Sequence, residues 1–436
     1  MTLPRDFGTV ANAIGWRPQQ GRIASVRTWL FAGVHASESW TVEVNGRIHT
    51  IVGGASGTAT CTAIYNALRV MTPQTNPEIF RYTWTDSGAG TLTATQKTNN
   101  DTGRVDTITI ARVSGAGTVD GVASSTGVVV TAADSPNHLS TRNLNGTALA
   151  DGKVLIFEDS DIDLKWNLSQ SAITLLGLIV RMSFTGEIGL PKLNDKGSHE
   201  GQERYLKCGA VADGIVTYAV IGTGEGEGPP LVMFNTVDSQ AVWDIQNTGT
   251  PRDDTEYACY LLGTHASNAL YMGGGRVAVA AYPGEASTLL TVDFNQNPLL
   301  PRGKLLLGAG CTMTNATIKN TGGDIESHSL FLDGVLDRGG IWTHYSGNVD
   351  DLTIFDGTWF MRSGDTINNL FVGHKGVYDC RGSNIPRTAN SITLMAGAKY
   401  IDPNDTTSRP AGIELLGCTP NEVTIVVGKN QVVSFS

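Results

Sequence analysis

Charge is scarce in this chain. Asp, Glu, Lys and Arg make up only 17% of its 436 residues, with 41 acidic against 31 basic side chains and a net charge of −10. A nucleic-acid binder needs a basic footprint to neutralise phosphates, so nucleic acid is not an expected partner. Long apolar runs are missing too. The densest, Leu175 to Val180, is strand-sized and far short of the roughly 20 residues of a membrane span, so no membrane partner is expected. Met1 to Phe7 lacks the basic-then-apolar layout of a secretory signal, which points to a chain made in the cytoplasm. Heptads rich in Glu, Lys and Leu are absent, which excludes a coiled coil. The six cysteines, at 61, 208, 259, 311, 380 and 418, form no CxxC pair and have no His cluster beside them, so no metal site is expected. Their wide, irregular gaps read as six buried, reduced thiols rather than a disulfide framework. The glycine-rich stretch Ile221 to Pro229 has no Lys and no following helix. It is an acidic loop rather than a phosphate loop, and no cofactor is expected.

Glycine is what the chain has in excess: 52 residues, about 12% against a typical 7% or so. Together with Thr, Asn, Ser and Val it favours short strands and many turns. Glycine has no three-residue period, which excludes collagen. A hydrophobic content of 40% is enough for a large core and argues against disorder.

Residues 1–28 read as an arm, with Gly8, Gly15, Pro18 and Gly21 breaking any regular period. Its side chains Phe7, Val10, Ile14, Trp16 and Ile23 need a surface to bury against, and a partner subunit is the expected one. Residues 29–134 read as a small α+β domain. Trp40 to Val44 alternates as a strand, Asn45-Gly46 is a hairpin turn, and Arg47 to Val52 returns. Thr58 or Thr60 would cap a helix from about Cys61 to Met71. Strands are expected at Phe80–Trp84, Thr91–Gln96, Thr107–Val113 and Val128–Ala132. A linker spans 135–150, and strands then follow one another without a helix signal from Asp151 to the end.

The clearest pattern lies at 305–400. Ile318, Leu336, Ile354 and Val372 are 18 residues apart each time, and each is followed by a glycine turn: Gly322-Gly323, Gly339-Gly340, Gly357, and Gly373 with Gly376. A second apolar residue arrives five positions on, at Ile341, Trp359 and Val377. A fixed period near 20 built from strand-like units marks a solenoid, in which stacked coils bury like positions in register. With no helix interrupting, 151–436 is expected to form a parallel β-helix. The hexapeptide repeat of left-handed helices is missing, which favours the right-handed form. The overall class is mainly β: a small N-terminal α+β domain followed by a solenoid.

This order of parts, with glycine-turn coils from Leu305 to Gly397 behind an arm and a small module, resembles phage tailspike and fibre-type structural proteins. The likeness is one of architecture and carries over no functional residue. It implies a structural component of a tailed-phage virion: a capsid decoration, head fibre or tail-fibre part. Capsid or tail proteins would be its partners, it would form a symmetric homo-oligomer with a trimer as first choice, and it would reside in the virion. A host surface glycan is a further conceivable ligand. An enzymatic tailspike and a bacterial surface adhesin are the alternatives.

Cleavage of a polysaccharide would need two carboxylates on one solenoid face, roughly 5–10 Å apart. Asp333, Asp337, Asp350, Asp351, Asp356 and Asp379 are available, and Asp333 and Asp351 are 18 residues apart. Aspartate beside glycine also caps turn backbone, and that role is the one expected for them. Trp342, Tyr345, Trp359 and Phe360 form one aromatic-rich region. Asp159, Asp161 and Asp163 alternate like part of a calcium loop, but Leu164 and Gln170 stand where that loop needs Gly and Glu, so a solvated strand face is expected. No catalytic residue is therefore assigned, and the chain is not expected to be an enzyme.

Overall fold

The computed structural model describes residues 13–18, 26–31, 38–97, 107–114, 135–190, 203–208, 217–221, 231–249, 257–329, 331–429 and 432–435. The chain divides into two compact units, Pro18–Asn143 and Met1–Arg17 with Leu144–Ser436.

In the smaller unit the hairpin forms where the turn chemistry places it. Asn45 and Gly46 both take positive φ (51° and 80°), as a tight two-residue turn requires. The strands Ser39–Val44 and Arg47–Val52 pair antiparallel across it, and Ile108–Ser114 adds to the other edge of Ser39–Val44. A second antiparallel sheet holds Val26–Leu30, Thr91–Gln96 and Tyr82–Asp86. The helix runs Gly57–Leu68, starting four residues before the expected position. Its cap is Ser56, whose Oγ accepts from the Ala59 amide (3.2 Å). Thr60, expected to be a cap, lies inside the helix and donates its hydroxyl to the Gly54 carbonyl (3.2 Å). Cys61, Ile64 and Leu68 form the helix's buried stripe, against Trp29, Phe31, Trp40 and Trp84. The strand expected at Val128–Ala132 lies outside the described residues.

The larger unit is a parallel solenoid. From Val154–Phe157 onward the chain alternates between a fifteen-stranded and a twelve-stranded sheet, and all pairings between named strands in both are parallel. The first strand of the larger sheet is Ala13–Trp16, which pairs in parallel with Val154–Phe157. Part of the expected arm is therefore a rung of the solenoid. Trp16 is fully buried, with its ring centroid 5.4 Å from that of Phe157 and 5.9 Å from that of Phe184. Val26–Leu30, which the expected arm boundary at 28 divides, belongs wholly to the small unit.

The register corrects the repeat. Ile318, Val335, Leu352, Leu370 and Ile392 form one inward column. Asn320, Asp337, Ile354, Val372 and Leu394 form the next inward column. Leu336, expected inside, faces outward in the column Lys319, Leu336, Thr353, Phe371 and Thr393. Ile318 and Ile354 are both buried but do not stack on one another. The steps along each column are 17, 17, 18 and 22 residues rather than a constant 18. A one-residue slip inverts a strand's two faces, and Val335-Leu336 offers an aliphatic to each face, so hydrophobicity does not reveal the slip. The same slip separates Ile341 and Val377, which share a column with Thr358, from the buried Trp359.

The glycine turns have a steric cause. Gly303, Gly323, Gly340, Gly357 and Gly376 each precede the first residue of a strand in the twelve-stranded sheet, so they stack at one corner of successive coils. A Cβ at Gly357 would overlap Asp337, and one at Gly376 would overlap the Ile354 carbonyl of the preceding coil.

All six cysteines are free. Five are buried, and Cys418 is half-buried, contrary to the expectation of six buried thiols. Burial pushes the Cys208 and Cys311 thiols up to about 12.

Candidate functional site

The candidate site is the carboxylate-bearing corner of the fifteen-stranded sheet. Three coils there read aliphatic, polar, polar, aliphatic, Val349-Asp350-Asp351-Leu352, Ile367-Asn368-Asn369-Leu370 and Ala389-Asn390-Ser391-Ile392, and Leu332-Asp333-Gly334-Val335 has glycine at the third place. The two aliphatics point into the core, so the two polar residues between them both point out at a bend.

Stacking the corners builds two hydrogen-bonded ladders. In one, Asn390 Nδ2 donates to Asn368 Oδ1 (2.8 Å) and Asn368 Nδ2 to Asp350 Oδ1 (2.6 Å). In the other, Ser391 Oγ donates to Asn369 Oδ1 (2.9 Å) and Asn369 Nδ2 to Asp351 Oδ1 (2.7 Å). Both ladders run in the same direction and end on a carboxylate. Each amide donates to one neighbour and accepts from the next, so the bonds polarise one another.

Of the six candidate carboxylates, Asp333, Asp350 and Asp351 share the outer corner of adjacent coils, and Asp337, Asp356 and Asp379 lie apart from them. Gly334, not Asp333, lies opposite Asp351, and the same register sets Asp333 beside Asp350. The expected stacking of Asp333 on Asp351 is therefore corrected by one residue. Asp356 sits in a turn with positive φ (56°), exposed, 3.9 Å from Lys375 Nζ. Asp379 belongs to the other sheet, where it is buried and gripped by Arg381 through Nη2 (2.7 Å) and Nε (3.0 Å).

Asp337 is fully buried. Its Oδ1 accepts from Asn320 Nδ2 (3.0 Å), and the Gly340 amide also hydrogen-bonds it. Its Oδ2 has no partner. Burial pushes its carboxyl up to about 7, against the lowering effect of those two hydrogen bonds and of Arg302. Asp337 thus keeps its proton near neutral pH, as a general acid must, but has no access to a substrate. Asp350 and Asp351 have the access but stand on the opposite face of the sheet. A glycosidase needs two accessible carboxyl groups flanking one bond, one of them holding its proton.

A second arrangement, which sequence reading missed, resembles a nucleophile–base pair by distance alone. Ser327 Oγ lies 2.8 Å from His344 Nδ1, and Trp342 Nε1 donates to the same oxygen (2.8 Å). His344 Nε2 is 2.7 Å from the Gly347 carbonyl. A carbonyl can only accept, so Nε2 carries the proton, Nδ1 accepts, and the Ser327 hydroxyl donates to it. Ser327 and His344 are both completely buried, and burial holds His344 down to about 4. The network is a polar core, with Trp342 packed on Trp359 (centroids 4.7 Å apart).

Its contribution depends on pH. An unfolded histidine takes up a proton near pH 6.5, while the folded one resists until about pH 4. The stability from neutral His344 is therefore complete above about 6.5 and is lost as pH falls through 4. Ser327→Ala, which strands the Trp342 donor and the His344 acceptor, is expected to cost about 2–3 kcal/mol at pH 7.5. Urea unfolding followed by circular dichroism measures this, and Ser327 is expected to resist fluorophosphonate labelling in the folded protein.

The remaining sequence candidates are settled locally. Of the aromatic region, Trp342 and Trp359 are core, while Tyr345 is exposed and stacks on His328 (4.7 Å). Phe360 is half-buried. Asp163 accepts from the Glu187 amide (3.0 Å) and pairs with Lys165 (2.6 Å). The 158–168 segment is irregular with isolated bridges, not the expected strand face. No group of three His, Cys, Asp or Glu that could hold a metal occurs among the described residues. Of the partner-binding candidates, Ile14 and Trp16 are buried within the chain's own solenoid, because Ala13–Trp16 finds its pairing edge in Val154–Phe157. Phe7, Val10 and Ile23 lie outside the described residues, as does the glycine-rich loop from Gly222 to Pro229. A comparison with protein-family models finds no match, and a comparison with curated protein sequences finds none either.

Proposed function

We propose that the chain is a non-enzymatic structural protein of a tailed-phage virion, a capsid decoration, head fibre or tail-fibre component whose solenoid serves as a stiff, projecting element. One observation supports the non-catalytic part of this reading: Asp350 and Asp351 each accept from an asparagine of the next coil and end two side-chain ladders. The virion assignment rests on the order of parts, a small α+β unit and a long glycine-cornered solenoid, and on its resemblance to fibre-type proteins. A symmetric homo-oligomer, with a trimer as first choice, belongs to the same proposal. Attachment through the arm is narrowed to residues other than Ile14 and Trp16.

Two measurements test it. A cryo-EM map of intact particles of the encoding phage is expected to show density for the solenoid at the head or the tail, and its absence from purified particles would refute the virion assignment. Purified protein incubated with host surface polysaccharide is expected to release no reducing ends. Release that disappears in the Asp350→Asn, Asp351→Asn double variant would replace this reading with an enzymatic tailspike.

A further inference from the structure

A cleft of about 230 Å³ opens at the glycine corner of the solenoid, where three successive coils meet. Asn247, Thr248 and Gly249 come from one coil, Gly275 and Arg276 from the next, Pro301 and Arg302 from the third. We propose that this cleft binds a single anionic group, a carboxylate or a phosphate, carried on a sugar-sized unit.

The floor is rigid. Thr248 Oγ1 accepts from the Arg276 amide (3.0 Å), and the Thr248 amide donates to Asn247 Oδ1 (2.9 Å). Gly275 keeps the cleft open, since a Cβ there would press on Thr248 at 2.7 Å. The walls are basic. Arg276 and Lys304 are neighbours on adjacent strands of the twelve-stranded sheet, and Arg302 lies two residues before Lys304. Lys304 is in turn followed in register by Asp324. Arg302 Nε meets Asp324 Oδ1 at 2.6 Å. That ion pair lies at the inner nitrogen of the guanidinium and leaves the donors of the two terminal nitrogens for a ligand. A fixed fork of this kind matches the paired oxygens of a carboxylate or phosphate.

Size and charge narrow the ligand. The volume is below the roughly 300–1,000 Å³ of sites that enclose a drug-sized molecule, so one charged group and the ring bearing it fill the cleft. The protein as a whole is acidic, with a net charge of −10, so its long-range field does not draw anions in. Recognition therefore resides in the local guanidinium of Arg302. The proposal does not depend on the virion reading, because it follows from the cleft alone.

The test is ligand-observed NMR on the full chain with glucuronate, inorganic phosphate and glucose at constant ionic strength. Glucuronate is expected to bind, glucose not to bind, and Arg302→Ala to weaken glucuronate by about 10-fold or more. Arg302→Lys, which keeps the charge but loses the fork, is expected to fall between the two. Arg302 is exposed, so unchanged thermal melts will show that the variants are folded. Phosphate that displaces glucuronate identifies a site for anionic oxygen in general, and phosphate that does not identifies the planar carboxylate as the bound form; each is the proposed chemistry. No binding of either anion, equal binding of glucose, or wild-type affinity in Arg302→Ala overturns the proposal.

Discussion

Asp337→Asn is expected to raise the urea midpoint of the solenoid at pH 8 and to leave it almost unchanged near pH 4. An unfolded aspartate loses its proton near pH 3.9, whereas the buried carboxyl of Asp337 holds its proton up to about pH 7. Between these values the native state binds a proton that the unfolded state has released. The stability that this protonated group preserves is complete below about pH 4 and is lost as pH rises through 7. Asparagine has no proton to lose. It keeps the carbonyl that accepts from Asn320 Nδ2 and removes only the charge. The gain at pH 8 is expected to be about 2–4 kcal/mol, from a displacement of roughly three units at 1.36 kcal/mol each. His344 has the opposite dependence, so between about pH 4 and 6.5 the two slopes offset one another in the wild type. Identical midpoints for wild type and variant at pH 8 would mean that water or a cation reaches the carboxylate.

Ile354→Asp and Leu336→Asp are expected to differ by more than any other pair of changes in the coils. Ile354 is fully buried and stacks directly on Asp337 in the preceding coil. A carboxyl at 354 would bring a second acid to within about 5 Å of the first, the spacing of neighbouring strands. Neither could shed its charge to a partner. A loss of about 4 kcal/mol or more is expected, enough to abolish soluble expression of a marginally stable chain. Leu336 lies one residue away in register but faces outward between Lys319 and Thr353. Aspartate there is expected to cost less than about 1 kcal/mol. Soluble yield and circular dichroism measure both. Similar losses at the two positions would refute the register, because the sequence alone gives these residues the same rank.

Composition and local pattern by themselves determined the class of this protein. A glycine excess, a period near 18 and the absence of helix signals specify a parallel solenoid, because each coil must bury its own stripe against the next. The hairpin at Asn45-Gly46 was also legible, since a two-residue turn depends only on the residues in it. The tertiary structure decided what depends on phase and on distant partners. Two adjacent aliphatics, Val335 and Leu336, let the strand read equally well in either register, and only pairing with the coils on both sides selects Val335 as the buried one. That choice then sends Asp337 into the core and Asp350 and Asp351 to the surface, so acidic residues alike in sequence acquire opposite chemistry. Ile14 and Trp16 lacked any local period that would fold them, yet they form a rung because the open edge of Val154–Phe157 supplies the missing backbone partners. Strand pairing is non-local, and an isolated segment carries no record of the edge it will meet.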